Sequence, residues 1–207
     1  MKQLNSIVIL LLLSGVMATD LQARTFYFGA KAGSSRNTVS DRTHGYWEPY
    51  KGINGGVFTT YTFLDSAQLR AELNYSTRDF QASAGDFNGY LSASYLEIAL
   101  LGALVPRDNP DMRVLIGPVF SRYMTGTYNF TGAPQDFPFH GNSDLRPDDF
   151  HPWDYSICLG VEHFYKFLVF DLRYLWGLNP VINQDLYPNN EFTLKYRSLK
   201  FEVGIRI

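Results

Sequence analysis

The stretch Ser198-Leu199-Lys200-Phe201-Glu202-Val203-Gly204-Ile205-Arg206-Ile207 decides the fold class of this chain. Its odd-numbered residues are all apolar, and its even-numbered residues include Lys200, Glu202 and Arg206. Because successive side chains of a β-strand point to opposite faces, one face is apolar and the other is charged. Such a strand suits a barrel wall with lipid outside and a charged lumen inside. A soluble antiparallel sheet can show the same alternation, so the rest of the chain has to distinguish the two.

Seven further segments have strand character, which predicts eight strands in all. Their bounds are 25–34, 53–64, 68–76, 90–105, 112–123, 155–164, 167–177 and 196–207. The connections between them alternate in length. Short turns at 65–67, 106–111 and 165–166 alternate with long connections at 35–52, 77–89, 124–154 and 178–195. An outer-membrane barrel has short periplasmic turns at one rim and long extracellular loops at the other. The pattern therefore predicts an all-β, eight-stranded, antiparallel up-and-down transmembrane barrel with four long extracellular loops.

The charged residues of the predicted strands share one face with several glycines. An eight-stranded barrel has an interior just wide enough to be filled by side chains, and a filled interior needs small residues beside charges of both signs. We therefore place the charges inside as a closed, ion-paired core rather than an open pore. The predicted lumen charges are Lys31, Arg70, Glu72, Glu97, Glu162, Asp171, Arg173, Lys200, Glu202 and Arg206.

Aromatic residues on the opposite, apolar face fall near the two predicted rims. Aromatic girdles of this kind mark the two interfaces of a membrane. Near the long-loop rim lie Tyr75, Tyr90, Phe120, Tyr155, Tyr174 and Trp176, and near the turn rim lie Phe26, Phe28 and Phe63.

The N-terminal region has the pattern of a secretory signal peptide. Lys2 supplies a positive start, an unbroken apolar run covers 7–13, and either Val16-Met17-Ala18 or Leu21-Gln22-Ala23 offers a cleavage site, of which we favour the second because strand character begins at Phe26. The apolar run is too short for a membrane-spanning helix. We expect a signal peptide at 1–23 and a barrel domain at 24–207.

The order of several short motifs resembles the PorT-type outer-membrane β-barrel family, also described as the outer membrane protein β-barrel domain. These motifs are Gly29-Ala30-Lys31-Ala32-Gly33, Gly56-Val57-Phe58, Tyr95-Leu96-Glu97-Ile98, Gly117-Pro118 and Asp171-Leu172-Arg173-Tyr174. The resemblance covers nearly all of the predicted mature chain. It implies an eight-stranded barrel, and most members of the family have no assigned biochemical activity.

Two kinds of residue could indicate catalysis or metal binding. His44, His140, His151 and His163 have no pair at metal-ligand spacing and no serine and acid in a triad order. The acids between Asp136 and Asp154 lack the order of an EF-hand loop. We therefore predict no catalytic residue, no metal and no cofactor, and we expect the protein not to be an enzyme.

The connection from Met124 to Asp154 carries many aromatics and prolines. Loops of this length are usually functional or disordered, and the aromatics favour a folded cap or a recognition surface. We predict Phe137, Phe139 and Trp153 as its candidate contacts with another envelope or extracellular protein. The formal net charge of −2 and the lack of a basic stripe argue against nucleic acid. The other expected partner is outer-membrane lipid, and we expect a monomer.

These observations favour a structural or interaction protein of the outer membrane. Two alternatives remain open from the sequence. A soluble lipocalin-like barrel would place the charged face in water and the Leu and Phe face around a ligand. A lipid-active barrel enzyme would need converging histidine, serine and acidic side chains.

Overall fold

The computed structural model describes residues 26–40, 47–84, 86–132, 141–144, 151–181 and 195–207. The predicted signal peptide lies outside this part of the chain. Alternating apolar and polar residues form strands throughout the described residues. The strands are β1 (Phe26–Ser40), β2 (Trp47–Leu64), β3 (Ala67–Ala84), β4 (Phe87–Leu104), β5 (Met112–Thr131), β6 (Gly141–Asp144), β7 (Trp153–Tyr165), β8 (Leu168–Pro180) and β9 (Lys195–Arg206). None of the described residues forms a helix long and apolar enough to span a membrane.

Eight of these strands form a closed antiparallel ring. Each strand pairs with the next along the wall, β5 pairs with β7, and β1 pairs with β9 to close the ring. The short strand β6 pairs only with the loop end of β5, among the pairs that the structure describes. Closure leaves no free edge in the wall, which is what a sheet needs in order to cross a lipid bilayer. The predicted eight-stranded fold is confirmed.

Several strands are longer than the sequence pattern indicated. β3 and β4 pair from Ala67↔Leu104 to Ala84↔Phe87, so residues predicted as the second long connection are a hairpin joined at 85–86. β5 continues to Thr131 and pairs with β4 as far as Asn88↔Thr131, into the predicted third connection. The predicted lengths of these loops were wrong. Beyond the apolar part of the wall the strands become more polar, but their side chains still alternate between the two faces and their backbones stay paired.

The two faces of the wall are sorted as the sequence predicts. Along β7, residues from Trp153 to Tyr165 alternate strictly between exposed and buried, and β8 and β9 show the same alternation. Leu172 on the outside is 45% exposed, whereas Asp171 beside it is 1% exposed. The lipocalin-like alternative is wrong, because it requires the Leu and Phe face inside.

The aromatic girdles lie on the outside as predicted. Tyr75, Tyr90, Tyr155, Tyr174 and Trp176 are all exposed near the loop end, and Phe120 stacks edge-on against Tyr155. At the turn end Phe26, Phe28 and Phe63 are exposed. An outer surface with so many exposed large apolar side chains is unlike that of a soluble monomer and suits contact with lipid.

The interior combines a charged middle with two apolar clusters. At the loop end, Phe80, Tyr95, Phe130 and Tyr196 belong to one buried cluster that also contains the single cysteine, Cys158. At the turn end, Phe58, Phe164 and Val169 form a second cluster. Ala99, Leu101 and Ala103 of β4 also face inward within the first cluster, as the sequence of that strand suggests. Because Ala103 pairs with Leu115 close to the turns, the first cluster reaches the turn end along β4 and β5, and the ionised side chains lie beside it in the middle of the lumen.

Candidate functional site: the charged lumen

Strand alternation directs ionised side chains from six of the wall strands to the barrel axis. Five cations and six carboxylates form ion pairs there, and all of them are buried. They are Lys31, Arg70, Arg78, Arg173 and Lys200 with Glu72, Glu97, Asp154, Glu162, Asp171 and Glu202. We call this set the lumen network. Burial of so many charges is tolerable only because each of them has an opposite charge within reach.

Lys31 of β1 joins three strands across the lumen. Its Nζ lies 3.1 Å from Oε2 of Glu72, 3.0 Å from Oδ2 of Asp171 and 2.8 Å from Oε2 of Glu202. Glu202 also accepts a hydrogen bond from Nδ2 of Asn54 at 2.6 Å. One ammonium group therefore connects β3, β8 and β9, because the ring closes with β1 between β2 and β9.

Arg173 holds two carboxylates with its planar guanidinium. Its Nη1 and Nη2 donate to the two oxygens of Glu72 at 2.7 and 2.8 Å. Its Nε and Nη2 donate to Asp171 at 2.7 and 2.5 Å. This forked geometry is the strong form of the arginine–carboxylate pair. It fixes Glu72 between Arg173 and Lys31.

Arg70 pairs with Glu162 on the far side of the lumen, nearer the turn end. Two donors of the guanidinium reach the two oxygens of Glu162, with the Nη2–Oε1 distance 2.6 Å. Its Nε donates to Oγ1 of Thr60 at 3.0 Å, and its guanidinium lies 4.5 Å from the ring centre of Phe58. Nη1 also lies 3.7 Å from Oε1 of Glu72, which links this pair to the rest of the network.

A second group of charges lies nearer the loop end. Lys200 is paired with Glu97 at 2.5 Å, and Glu97 also accepts a hydrogen bond from Oγ of Ser76 at 2.7 Å. Arg78 pairs with Asp154 and lies 3.3 Å from Glu97. The Arg78 guanidinium is packed between two tyrosine rings, 4.0 Å from the centre of Tyr95 and 3.9 Å from that of Tyr196. These contacts anchor the extended part of the wall.

Sequence reasoning missed Arg78 and Asp154, because it assigned both to loops. The alternation of inward and outward residues along β3 and β7 indicates that both side chains face the lumen. Arg78 continues the inward series Arg70, Glu72, Asn74 and Ser76 on β3, all of which are buried. Asp154 likewise precedes the buried residues Ser156, Cys158 and Glu162 on β7. Extending each strand for as long as its alternation lasts would have placed both side chains on the lumen face.

The structure does not bring Arg206 into the network. It lies half-buried at the turn end, where its guanidinium is 4.1 Å from the ring centre of Phe164 and its Nε donates to the carbonyl of Lys166. Arg113 covers the same ring at 4.0 Å and donates to Oε1 of Gln68 at 3.1 Å. Among the described residues, no carboxylate lies within ion-pair distance of either arginine. The remaining nine predicted lumen charges all belong to the network.

The lumen network can stabilise the wall but offers little space for a ligand. A cavity of about 10 Å³ lies among Asn74, Glu97, Arg173 and Lys200. That is room for about one water molecule. Within the described residues, no group of three or more His, Cys, Asp or Glu side chains could hold a metal ion. His163 is exposed on the outer face of β7, as its phase predicts.

Only one of the predicted recognition residues, Trp153 at the loop end, lies within the described residues. Trp153 begins β7, is exposed, and has its ring centre 5.9 Å from the Arg122 guanidinium. Phe137 and Phe139 lie outside the described residues, as do His44 and His140. The part of the connection that is described contains β6, whose residues from Gly141 to Asp144 pair with β5.

Comparison with known families agrees with this geometry. The family model for the outer membrane protein beta-barrel domain matches residues 17–183 of the chain. The chain belongs to this family. The narrower PorT-type resemblance stays a prediction. No curated protein matches the chain.

Several solved structures are similar to this barrel at low sequence identity. Neisserial surface protein A (NspA) is 15% identical, with a TM-score of 0.49 and coverage of 90% of this chain and 99% of that one. Ail of Yersinia pestis, solved in complex with the heparin analogue sucrose octasulfate, is 12% identical, with a TM-score of 0.47 and coverage of 88% and 99%. The N-terminal β-barrel domain of Pseudomonas aeruginosa OprF is 10% identical, with a TM-score of 0.34 and coverage of 87% and 97%.

Proposed function

We propose that this outer-membrane barrel has a closed, charge-filled lumen and acts as a structural or interaction protein through its extracellular loops. The observation that carries the proposal is the lumen network, whose pairs cross the barrel axis from β1 to β8 and from β3 to β7. Open aqueous channels belong to barrels of about 16 or more strands, whereas eight strands leave room only for side chains. The network fills that room and fixes the wall.

Conductance measures the closed lumen directly. The purified barrel, reconstituted in a planar lipid bilayer, should give no large steady current, and a general porin inserted under the same conditions is the positive control. Paired charges that bridge opposite strands leave no path for hydrated ions. A stable current of porin size from the folded barrel would contradict the closed lumen.

Recognition is assigned to the connection between β5 and β7. Its predicted anchors are Phe137, Phe139 and Trp153, because large aromatic side chains dominate binding energy at protein interfaces. Proteins selected for binding to the loop end of the parent barrel should bind at least about tenfold more weakly to the variant in which all three residues are replaced by alanine. Tyr165→Ala, an exposed aromatic at the opposite rim, is the matched control. Equal binding to parent and triple variant would reject this surface.

We further infer that the protein is exported by residues 1–23, is monomeric and has no enzymatic activity. The tripartite pattern of the N-terminus supports export, and N-terminal sequencing of the outer-membrane protein should begin at Arg24. The sequence resemblance supports a PorT-type member. The arrangement of the described histidines supports a non-enzymatic role, since His163 faces outward and the backbone N–H of His151 bonds to the Val181 carbonyl.

A further inference from the structure

The outer face of the barrel carries a row of three basic side chains near the loop end. Arg36 of β1 directly opposes Lys51 of β2 in the strand register. On the other side Arg36 opposes Leu199, and Arg197 lies two residues before Leu199 on β9, opposite Thr38. Diagonal neighbours of this kind lie about 7–8 Å apart, within reach of long side chains. We call Lys51, Arg36 and Arg197 the basic row.

The three cations of the basic row lie on one surface without a carboxylate counter-charge among the described residues. Among the described residues, no carboxylate lies within 4.0 Å of any of its three cations. The Nε atom of Arg197 is shielded from water and has no hydrogen-bond partner in the described part of the chain, and its guanidinium lies 5.5 Å from the ring centre of Trp176. Like charges directly opposite each other destabilise a strand pair. A bound anion would remove that cost.

The height of the row matches the boundary of a membrane. A strand needs about 9–11 residues to cross the hydrocarbon core. On β1 the outward residues begin with Phe26, so Arg36 stands at the eleventh position, and on β9 Arg197 stands eleventh from Ile207. Just below the row the outer surface is apolar, with Ile53 and Leu199 exposed.

A groove of about 170 Å³ connects the charged and apolar parts of this surface. It is lined by Arg36, Arg197, Tyr174, Leu199 and Pro49. An amphiphile that carries phosphate above and acyl chains below would contact both parts, whereas a free phosphate would contact only the cations. We propose that the basic row binds the phosphate groups of an anionic glycolipid in the outer leaflet of the outer membrane. This rests on the proposed orientation, with the loop end outside the cell.

Titration of the folded barrel with lipid A in a zwitterionic detergent tests the site without depending on orientation. The triple variant Arg36→Gln, Lys51→Gln, Arg197→Gln should bind phosphorylated lipid A more weakly by about fivefold for each cation removed. Arg122→Gln is the matched control, because Arg122 is an exposed cation on β5 at the same height on another part of the wall. It should bind as the parent does.

Three results would overturn the proposal. They are equal affinity of parent and triple variant, equal affinity of the parent for lipid A and its dephosphorylated form, and full displacement of lipid A by millimolar inorganic phosphate. Folding of each variant is verified by its heat-dependent gel mobility. If the triple variant does not fold, the affinity of the parent barrel for lipid A is measured at increasing ionic strength. Phosphate binding must weaken as ionic strength rises, so an unchanged affinity would overturn the proposal. A loop end found inside the cell would refute the orientation alone and would leave the binding result intact.

Discussion

At the scale of single residues, the lumen network is under more constraint than any surface pair. Glu162 makes its described ion pair with Arg70 alone, and both side chains have no exposed surface. Removal of one member of a buried pair leaves a desolvated charge, whereas replacement of both by apolar groups of similar size can be nearly neutral. We therefore expect the network to contribute more to a unique strand register than to net stability.

We expect a double-mutant cycle on this pair to show strong coupling. Arg70→Met should cost about 3–5 kcal/mol of unfolding free energy, because it leaves Glu162 buried and unpaired. The double variant Arg70→Met, Glu162→Leu should cost less than that single change. Urea unfolding of the barrel in lipid vesicles measures these two variants and the single variant Glu162→Leu. Additive single and double costs would show that the pair is not desolvated as the structure indicates.

The outward residues of β3 allow a test of the lipid-facing surface along one strand. Ala71→Arg should cost about 2–4 kcal/mol, since it places a charge near the bilayer midplane. Ser83→Arg is the control on the same face, beyond the apolar band, and should cost about 0–1 kcal/mol. Leu172→Arg and Val203→Arg should resemble Ala71→Arg. If the midplane variants unfold at the same urea concentration as the parent, this face does not contact lipid.

At the scale of elements, the seam between β1 and β9 depends on close backbone approach. A Cβ atom at Gly33 would lie 1.9 Å from the carbonyl oxygen of Phe201, so no side chain fits without movement of the strands. Gly102 on β4 differs, because a Cβ there would lie 3.7 Å from the nearest atom, the carbonyl oxygen of Ile116. Replacement by alanine should therefore lower the stability of the barrel at Gly33 and leave it nearly unchanged or raise it at Gly102.

Gly33→Ala should destabilise the barrel by about 1–3 kcal/mol through overpacking at the seam. Gly102→Ala should change stability by less than about 0.5 kcal/mol or increase it, because glycine weakens a strand interior. Urea unfolding compares the two variants with the parent. A loss of stability at Gly102 equal to that at Gly33 would mean that strand flexibility, rather than the close approach, explains the effect.

The connection between β5 and β7 divides into a dispensable part and a structural part. Replacement of residues 133–151 by a short Gly-Ser linker should leave a heat-modifiable barrel, since the wall strands and their pairs are retained. Addition of Asp154→Asn to that deletion should destabilise the barrel, because Arg78 loses a carboxylate partner inside the lumen. If the two deletion variants are equally stable, the pair of Asp154 with Arg78 does not stabilise the barrel, and Asp154 is part of the loop, as the sequence alone predicted.

Particular residues show how far the sequence predicts this fold. The alternation of Leu199 to Ile207 correctly placed Lys200 and Glu202 inside, because a period of two leaves only two choices of face. It could not reveal which carboxylate meets which cation, since partners such as Arg70 and Glu162 are 92 positions apart in the chain. Arg206 was wrongly added to the pairs because alternation gives the face of a residue and not its height along the barrel.

At the scale of the whole molecule, the proposed orientation of the barrel places its turns in the periplasm and its long connections outside the cell. Two insertion sites distinguish the rims. One lies between His140 and Gly141 in the β5–β7 connection, and the other lies after Asp108 in the turn before β5. Both interrupt connections rather than wall strands, so each tagged barrel should still fold, as verified by heat-dependent gel mobility.

Labelling of these two tags on intact cells tests the central claim most directly. Antibody should bind the tag at Gly141 on intact cells, and it should bind the tag at Asp108 only after the outer membrane has been permeabilised. A tag at Gly141 that is detected only after permeabilisation, together with a tag at Asp108 that is accessible on intact cells, would contradict the proposed orientation of the barrel.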